Sequence, residues 1–565
     1  MADHLSWTSH LFRAFYQEGV RHVYISPGSR STPLVLAAAT HPGFSSHIAI
    51  DERSAAFQAL GSSKGSGIPS ILICTSGTAL ANYHPAVIES KQSGIPLIII
   101  SADRPPHLRG TGSSQTIDQV KIFSDAVLYF HELGEPVHEK RDYNRLTLLA
   151  KQAVDIAQNR AGPVHINAPF RKPLNPSKES LQQAENLNRD QVSQSLNKRS
   201  FTDTSDGTYT LPEETRSLLN DAHRPVIIAG PDDRPGPLTD LVSRLSRNLN
   251  IPVIAEPGSH LPGSLNFIGR FDLFLNSKKN EESLLPDLII KTGNQPFSKS
   301  LQIFESGNLS IPVIQFLNRD TWQDSFGTTS HRHILNNRIP DLESISPKQQ
   351  SWLELWANKN REAESVISKA LHLESSMTDG HVIDHFTQSL SSGWDIMTSN
   401  SFTIRDLSMF GHGSLHISNS YVNRGAAGID GILSTAMGIQ HVNQKKMFVF
   451  IGDLALLHDS NALLNSKESN QPLAITVLNN GGGNIFRMLP VYSEKKYFGK
   501  YFQTPQHADF SSLARMHGIS YHFIDSLKKL KETNPDDFIS DRPVLIECKT
   551  DPDKSMKMRN ILWNQ

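Results

Sequence analysis

Hydrophobic positions along this chain gather into short, strand-sized runs separated by mixed stretches of helical periodicity, and the alternation recurs in each third of the chain. In the first third, residues 22–26, 68–75, 96–101 and 164–167 read as buried strands, apolar at successive positions as in a sheet covered on both faces. Residues 54–60 and 79–91 have helical spacing, and Leu5, Leu11, Phe12 and Phe15 give a first helix an apolar face. The middle third repeats the pattern at 225–230, 251–254, 286–290 and 311–314, with prolines at or beside the strand entries. In the last third, runs 447–451 and 473–478 are joined by a helical stretch, with Asp459-Ser460-Asn461 supplying N-cap residues ahead of Ala462-Leu463-Leu464, and 544–548 is a closing strand. Strands alternating with helices predict mostly parallel sheets flanked by helices.

Two polar stretches interrupt this rhythm. They divide the chain into domains 1–175, 215–345 and 377–565, with a linker at 176–214 and a linker helix at 346–376, charged around residues 352–369. The expected fold is three α/β domains. With 55 basic against 56 acidic residues, no nucleic-acid or anionic-membrane surface is expected. No apolar run approaches the ~20 residues of a membrane span, and no basic-then-apolar leader opens the chain. Cys74 and Cys548 suit two reduced, buried thiols rather than a disulfide framework, so a cytoplasmic location is expected. The middle domain has no Gly-x-Gly-x-x-Gly turn, which argues against a dinucleotide site there.

Chemistry concentrates at strand ends. One apolar run ends in Gly452-Asp453 and another in Asn479-Asn480-Gly481-Gly482-Gly483, the positions at which open α/β sheets bind ligands. Asp453 and Asn480 offer hard oxygens to Mg²⁺, the glycine turn can add a carbonyl, and a diphosphate would supply the rest. The bland alternative is an aspartate that only caps a helix. In the first domain, Glu52 is an acid near a strand end, with a solvated first helical turn as its alternative. Arg30, Arg104 and Arg424 sit in Gly- or Pro-containing turns, and a guanidinium fork matches a carboxylate in two places.

Gly-Asp followed at this spacing by Asn-Asn resembles the diphosphate–metal motif of thiamine diphosphate (ThDP) enzymes. The layout is similar to theirs: pyrimidine-binding, central Rossmann-like and diphosphate-binding domains. Six segments together resemble a narrower family: residues 26–33, Asp51-Glu52-Arg53, Thr75-Ser76-Gly77-Thr78-Ala79, Ala102-Asp103-Arg104-Pro105-Pro106, residues 423–431 and Gly452-Asp453-Leu454. That family is the 2-succinyl-5-enolpyruvyl-6-hydroxy-3-cyclohexene-1-carboxylate (SEPHCHC) synthases of menaquinone biosynthesis, and the likeness runs over essentially the whole chain. It implies a transferase dependent on ThDP and on Mg²⁺ or Mn²⁺. The implied reaction decarboxylates 2-oxoglutarate and adds the succinyl unit to isochorismate, in a homodimer or homotetramer whose subunits share the cofactor.

By matching positions, Glu52 would partner the cofactor pyrimidine, and Ser401, Ile429, Gly452, Asp453, Leu454 and Asn480 would contact the cofactor. Asp453, Asn480 and the Gly482 carbonyl would hold the metal. Ser29, Arg30, Arg104, Gln115, Lys299, Arg405 and Arg424 would line the substrate pocket, with Ile485, Phe486 and Leu489 as its apolar wall. Ser114 stands where the family has asparagine. The segment 492–507, aromatics among lysines, reads as a lid or a surface loop. Two rivals are another ThDP enzyme, such as an acetohydroxyacid synthase-like decarboxylase or carboligase, and a non-catalytic cofactor-sensing protein. The first would need fewer arginines, and retention of Glu52 with both metal positions speaks against the second.

Overall fold

The computed structural model describes residues 4–195, 208–261, 266–275, 282–335, 338–411, 419–468, 471–539 and 542–563. The first sheet comprises β1 (His22–Ile25), β2 (Ser45–Ile48), β3 (Ser70–Cys74), β4 (Leu97–Asp103), β5 (Tyr129–Glu132) and β6 (Pro163–Pro169), in the order β2-β1-β3-β4-β6-β5. A two-stranded ladder pairs β7 (Thr208–Tyr209) with a later strand. The central sheet holds β8 (Pro225–Ala229), β9 (Val253–Ala255), β10 (Phe267–Ile268), β11 (Leu288–Thr292), β12 (Val313–Leu317) and β13 (Thr329–Ile334), ordered β10-β9-β8-β11-β12-β13. The partner of β7 is β14 (Ile339–Pro340). The third sheet has β15 (Trp394–Thr398), β16 (Asn419–Val422), β17 (Lys446–Gly452), β18 (Leu473–Asn479), β19 (Ser520–Ile524) and β20 (Val544–Lys549), ordered β16-β15-β17-β18-β20-β19.

Every described strand pair is parallel. The inner strands β3, β4, β6, β8, β11 and β12 are buried along their whole length, as helices on both faces require. The expected three-domain α/β fold is therefore present. The central order is the doubly wound one of dinucleotide-binding folds. No described helix is long and apolar enough to cross a membrane.

By compactness the chain forms two units. One is Met1–Thr204 with Asn423–Gln444 and Asp459–Glu468; the other is Ser205–Val422 with Lys445–His458 and Ser469–Gln565. In the first unit, helix Glu52–Ser66 packs on helix Ile432–Asn443. A Cβ on Gly61 would lie 2.1 Å from the Thr435 carbonyl oxygen, and one on Gly438 would lie 1.9 Å from that of Gln58. The two backbones touch, and only glycine permits that approach.

Local structure departs from expectation at three places. Residues 79–91 form two helices, Thr78–Ala81 and His84–Ser93, because Pro85 suits a first helical turn and not a helix interior. The polar stretch after 175 carries an 18-residue helix, Lys178–Ser195, for which burying Leu181 and Ala184 against the first core suffices. Asp459 makes no side-chain cap. Its buried carboxylate instead accepts from the Ser434 amide and hydroxyl, both at 2.8 Å, and a 3-10 turn, Ser460–Asn465, follows. The charged helix runs Gln350–Leu373 and buries Trp352, Trp356, Ile367 and Leu371.

Candidate active site

In the third sheet the crossovers run outward from β15 to β16 on one side and from β17 to β18 on the other, so the gap between the carboxyl ends of β15 and β17 is a topological switch point. Gly452 N–H donates to Ser399 Oγ at 3.3 Å across this gap. Ser401, three residues beyond β15, has φ +70° and ψ −132°, a conformation that costs a non-glycine residue about 1–3 kcal/mol and clusters at functional sites. Its carbonyl accepts from Arg405 Nη1 at 2.6 Å. Arg405 is half-buried, and that burial lowers its pKa against the opposing pull of Asp406, Glu256 and Asp272.

Asp453 opens the helix Asp453–His458 directly after β17 and is buried. Its Oδ1 accepts from the Leu454 amide at 2.8 Å, a cap-like bond. Its Oδ2 reaches to the end of β18 and accepts from the amides of Gly481, at 3.1 Å, and Gly482, at 2.8 Å. Burial raises its pKa, against those three amides. A carboxylate oxygen offers two lone pairs, so Oδ1 keeps one free. Asn480 donates from Nδ2 to Asp379 Oδ2 at 3.1 Å. Asn484 Nδ2 lies 2.8 Å from Asn480 O, 2.9 Å from Asn480 Oδ1 and 3.2 Å from Gly482 O, so three acceptors share two hydrogens. Asn484 Oδ1 is buried with no partner among the described residues. Carboxylate, amide and carbonyl oxygens gathered in adjacent turns are the hard donors that a small divalent cation takes. Beside them, a Cβ on Gly452 would meet only Thr403 Oγ1, at 3.9 Å, which leaves room for a bulky anionic group.

Gly482 has φ +112°, and a Cβ there would lie 2.1 Å from the Gln503 carbonyl oxygen. Gln503 ends the helical part of the segment 492–507. Its carbonyl accepts from Gly483 N–H at 2.7 Å and its Nε2 donates to Gly481 O at 3.2 Å. Phe502 meets Phe486 edge-on at 5.9 Å. The segment is thus docked on the glycine turn, while Phe486 and Leu489 stay exposed and Ile485 is half-buried. Lys299 is the exposed first residue of helix Lys299–Ser306. The preceding Phe297 packs with Ile404 and Val422, so Lys299 belongs to a turn bordering the helix of Arg405.

On the first unit the corresponding switch point lies between β1 and β3. Arg30, in the turn after β1, is 5% exposed. It donates from Nη1 to Phe170 O at 2.7 Å, and its Nε has no partner among the described residues. Burial, then the like charge of Arg104, lowers its pKa. Ser29 beside it is exposed. Gln115 docks on the turn after β3, donating from Nε2 to Ser76 O at 3.1 Å and accepting the Ser76 hydroxyl at its own carbonyl, also at 3.1 Å. Arg104 reaches Ser114 O from Nε and Nη2, each at 3.4 Å. Asp51 caps helix Glu52–Ser66: its Oδ1 accepts from the amides of Arg53 and Ser54, and its Oδ2 from Asn461 Nδ2 at 2.6 Å. The Glu52 carboxyl makes no hydrogen bond among the described residues.

Glu89 was not singled out by its sequence surroundings. Its buried carboxylate accepts from the amides of Gly425, at 2.8 Å, and Ala426, at 2.6 Å, and so clamps the loop bearing Arg424 and Ile429. That loop borders a cavity of about 480 Å³ lined by Phe57, His84, Ile88 and Asp430 among others. Asn484 and Asp379 were likewise missed. Asn484 directly follows the glycine turn, a signal within reach; Asp379 lies 101 residues from Asn480, and no local pattern announces it. His47, His441 and Glu468 cluster at metal-ligand range. The two imidazoles, however, stack nearly parallel at 4.1 Å, so their in-plane lone pairs run side by side rather than converging.

Known proteins resemble this chain in the two domains that carry these turns. Residues 6–122 match the family model for the N-terminal TPP binding domain of thiamine pyrophosphate enzymes, and residues 408–548 match the C-terminal one. Proteins named 2-succinyl-5-enolpyruvyl-6-hydroxy-3-cyclohexene-1-carboxylate synthase are similar over nearly the whole chain. The one from Gloeothece citriformis is 36% identical, covering 93% of this chain and 92% of its own. That from Geobacillus kaustophilus is 34% identical over 100% and 98%, and that from Oceanobacillus iheyensis 32% over 97% and 95%. The chain is a thiamine diphosphate enzyme and belongs to the 2-succinyl-5-enolpyruvyl-6-hydroxy-3-cyclohexene-1-carboxylate synthase family.

Proposed function

We propose that this chain decarboxylates 2-oxoglutarate and adds the succinyl unit to isochorismate, giving SEPHCHC and CO₂, as a ThDP- and Mg²⁺-dependent transferase of menaquinone biosynthesis. The observation that carries the reading is the oxygen set at the third switch point. There the Asp453 carboxylate is tied to the amides of Gly481 and Gly482, while Asn480 Oδ1 and Gly482 O both lie within reach of the Asn484 side-chain nitrogen in the same turn. ThDP, when bound, supplies the nucleophilic carbon and the electron sink that 2-oxoacid decarboxylation needs. Asp453, Asn480 and the Gly482 carbonyl would hold the Mg²⁺ or Mn²⁺ that neutralises the diphosphate. Gly452, Leu454, Ser401 and Ile429 would border the cofactor.

Glu52 would hold a proton at N1′ of the pyrimidine. Asp51 is the poorer candidate, since both its oxygens are engaged by Arg53, Ser54 and Asn461. Each substrate carries two carboxylates, which is the demand that Arg30, Arg104, Arg405 and Arg424 would meet. Arg30 supports this most directly, being buried with an Nε that has no partner among the described residues. Ser29, Gln115 and Lys299 would complete the polar lining, and Ile485, Phe486 and Leu489 would pack against the isochorismate ring. A homodimer or homotetramer in the cytoplasm completes the reading, and two unpaired, buried cysteines suit a reducing compartment.

Purified protein supplied with ThDP, Mg²⁺, 2-oxoglutarate and isochorismate should form a product of the mass of SEPHCHC. Consumption of pyruvate in preference to 2-oxoglutarate, or no incorporation of isochorismate, would replace this reading with an acetohydroxyacid synthase-like one.

A further inference from the structure

We infer that Asp379 is the positioning residue of the diphosphate–metal site: it fixes the Asn480 amide with its oxygen toward the ion, and Arg559 fixes Asp379. The inference rests on the reading of Asn480 as a metal ligand. An asparagine ligand has an orientation problem, because the two ends of its amide are alike in size and a half-turn would present NH₂ to the cation. An acceptor without hydrogens, placed on the nitrogen side, removes that alternative. Asp379 Oδ2 is such an acceptor, at 3.1 Å from Asn480 Nδ2. Asn484 Nδ2 donates to Asn480 Oδ1 at 2.9 Å and so fixes the other end of the amide.

Asp379 is 1% exposed, so its carboxylate needs compensation on the spot. Arg559, 2% exposed and on the last helix, donates to Asp379 Oδ2 at 2.6 Å; Thr550, just beyond β20, donates its hydroxyl to Oδ1 at 2.6 Å. Arg559 also grips Asp406, donating from Nε to Oδ1 at 2.8 Å, and lies 3.9 Å over the Phe402 ring. Asp406 has no hydrogen bond to Asn480. The Asp379 carboxylate is not needed to cap its own helix, Asp379–Ser389, because Thr378 Oγ1 already accepts from His381 N–H at 3.4 Å. One Asp379 oxygen is therefore turned outward to the strand end that carries Asn480.

The test compares Asp379→Asn with Asp406→Asn, two isosteric changes that each remove one buried carboxylate from the same arginine. ThDP affinity is measured by calorimetry in Mg²⁺ without substrate, and thermal unfolding without cofactor. Both variants should melt lower. Only Asp379→Asn should weaken Mg²⁺-dependent ThDP binding, by about 10- to 100-fold as for other groups that orient metal ligands, with Asp406→Asn staying near the parent. Parental affinity in Asp379→Asn, or equal losses in both variants, would overturn the inference and leave the cluster a purely structural ion network. Should Asp379→Asn fail to fold, Thr550→Val removes one donor to Asp379 and keeps its charge. That variant should melt somewhat lower but, measured well below its melting temperature, should still fold and lose ThDP affinity; unchanged affinity there counts against the inference. Asn480→Ala separates the two claims: if it binds ThDP and Mg²⁺ like the parent, the metal-ligand reading itself fails, whereas loss there with normal Asp379→Asn overturns only the positioning role.

Discussion

The first sheet and the third share one strand order, one parallel sense and one switch point, yet the turns there carry different chemistry. On the first sheet the turn after β1 holds Ser29 and the buried Arg30, Gln115 docks on the turn after β3, and Glu52 starts the helix that follows β2. On the third, the corresponding turns present oxygens: Asp453, Asn480 and the glycine carbonyls, with Ser401 held in a strained conformation. The central sheet has another order and contributes only Lys299 to the expected set. Topology decides where a site can form, and the few residues beyond the strand ends decide what it binds.

That division is tested most sharply from the third sheet. Asp453→Ala should abolish ThDP binding by calorimetry while the fold survives, since the diphosphate loses the ion that neutralises it. Near-parental affinity would remove Asp453 from the metal site. From the first sheet, Glu52→Gln should lower turnover by about 10²–10⁴-fold, the usual contribution of a general acid or base. ThDP affinity should hardly change, because the diphosphate is held elsewhere. Proton exchange at C2 of bound cofactor as fast as in the parent would pass the role to another acid.

Next in size are the cations. Arg405→Ala and Arg424→Ala should raise KM for at least one dicarboxylate substrate by roughly 10- to 150-fold, the worth of a charged hydrogen-bond pair. Unchanged constants for both substrates would make these arginines structural.

The smallest effect concerns Asp459, in a segment that leaves the third sheet's connection to join the first unit. Burial pushes its pKa up to about 7 from an ordinary 3.8, against the donors of Ser434. The folded chain therefore keeps a proton that the unfolded chain releases, so this contribution is full below pH 3.8 and is lost as pH rises through 7. Between pH 6 and 8 the loss is about 1.4 kcal/mol. Unfolding midpoints in denaturant should show that slope in the parent and lack it in Asp459→Asn; parallel profiles would refute the assignment.

Much of this was legible in advance because the signals are local. Strand-sized apolar runs, each closed by Gly-Asp or Asn-Gly-Gly-Gly, announce where β17 and β18 end, and a parallel sheet then puts those ends side by side. The break before Pro85 was equally local and was still missed, since helical spacing continues through it. Helix 178–195 was underrated for a related reason: packed against an existing core, a polar helix needs few buried residues.

What the sequence by itself determined is the three-sheet α/β architecture and the residue types at the strand ends, because hydrophobic period and turn chemistry act over a few residues. Only the tertiary structure decided how those residues are employed. Asp51 and Glu52 are adjacent acids, and Asn461, 410 residues away, is what engages Asp51. Asp459 reads as a helix cap until Ser434 takes its carboxylate. Asp379 and Arg559 are 180 residues apart and join only where β18, β20 and the last helix come together. A buried charge must find its partner in space, and a linear sequence does not record that distance.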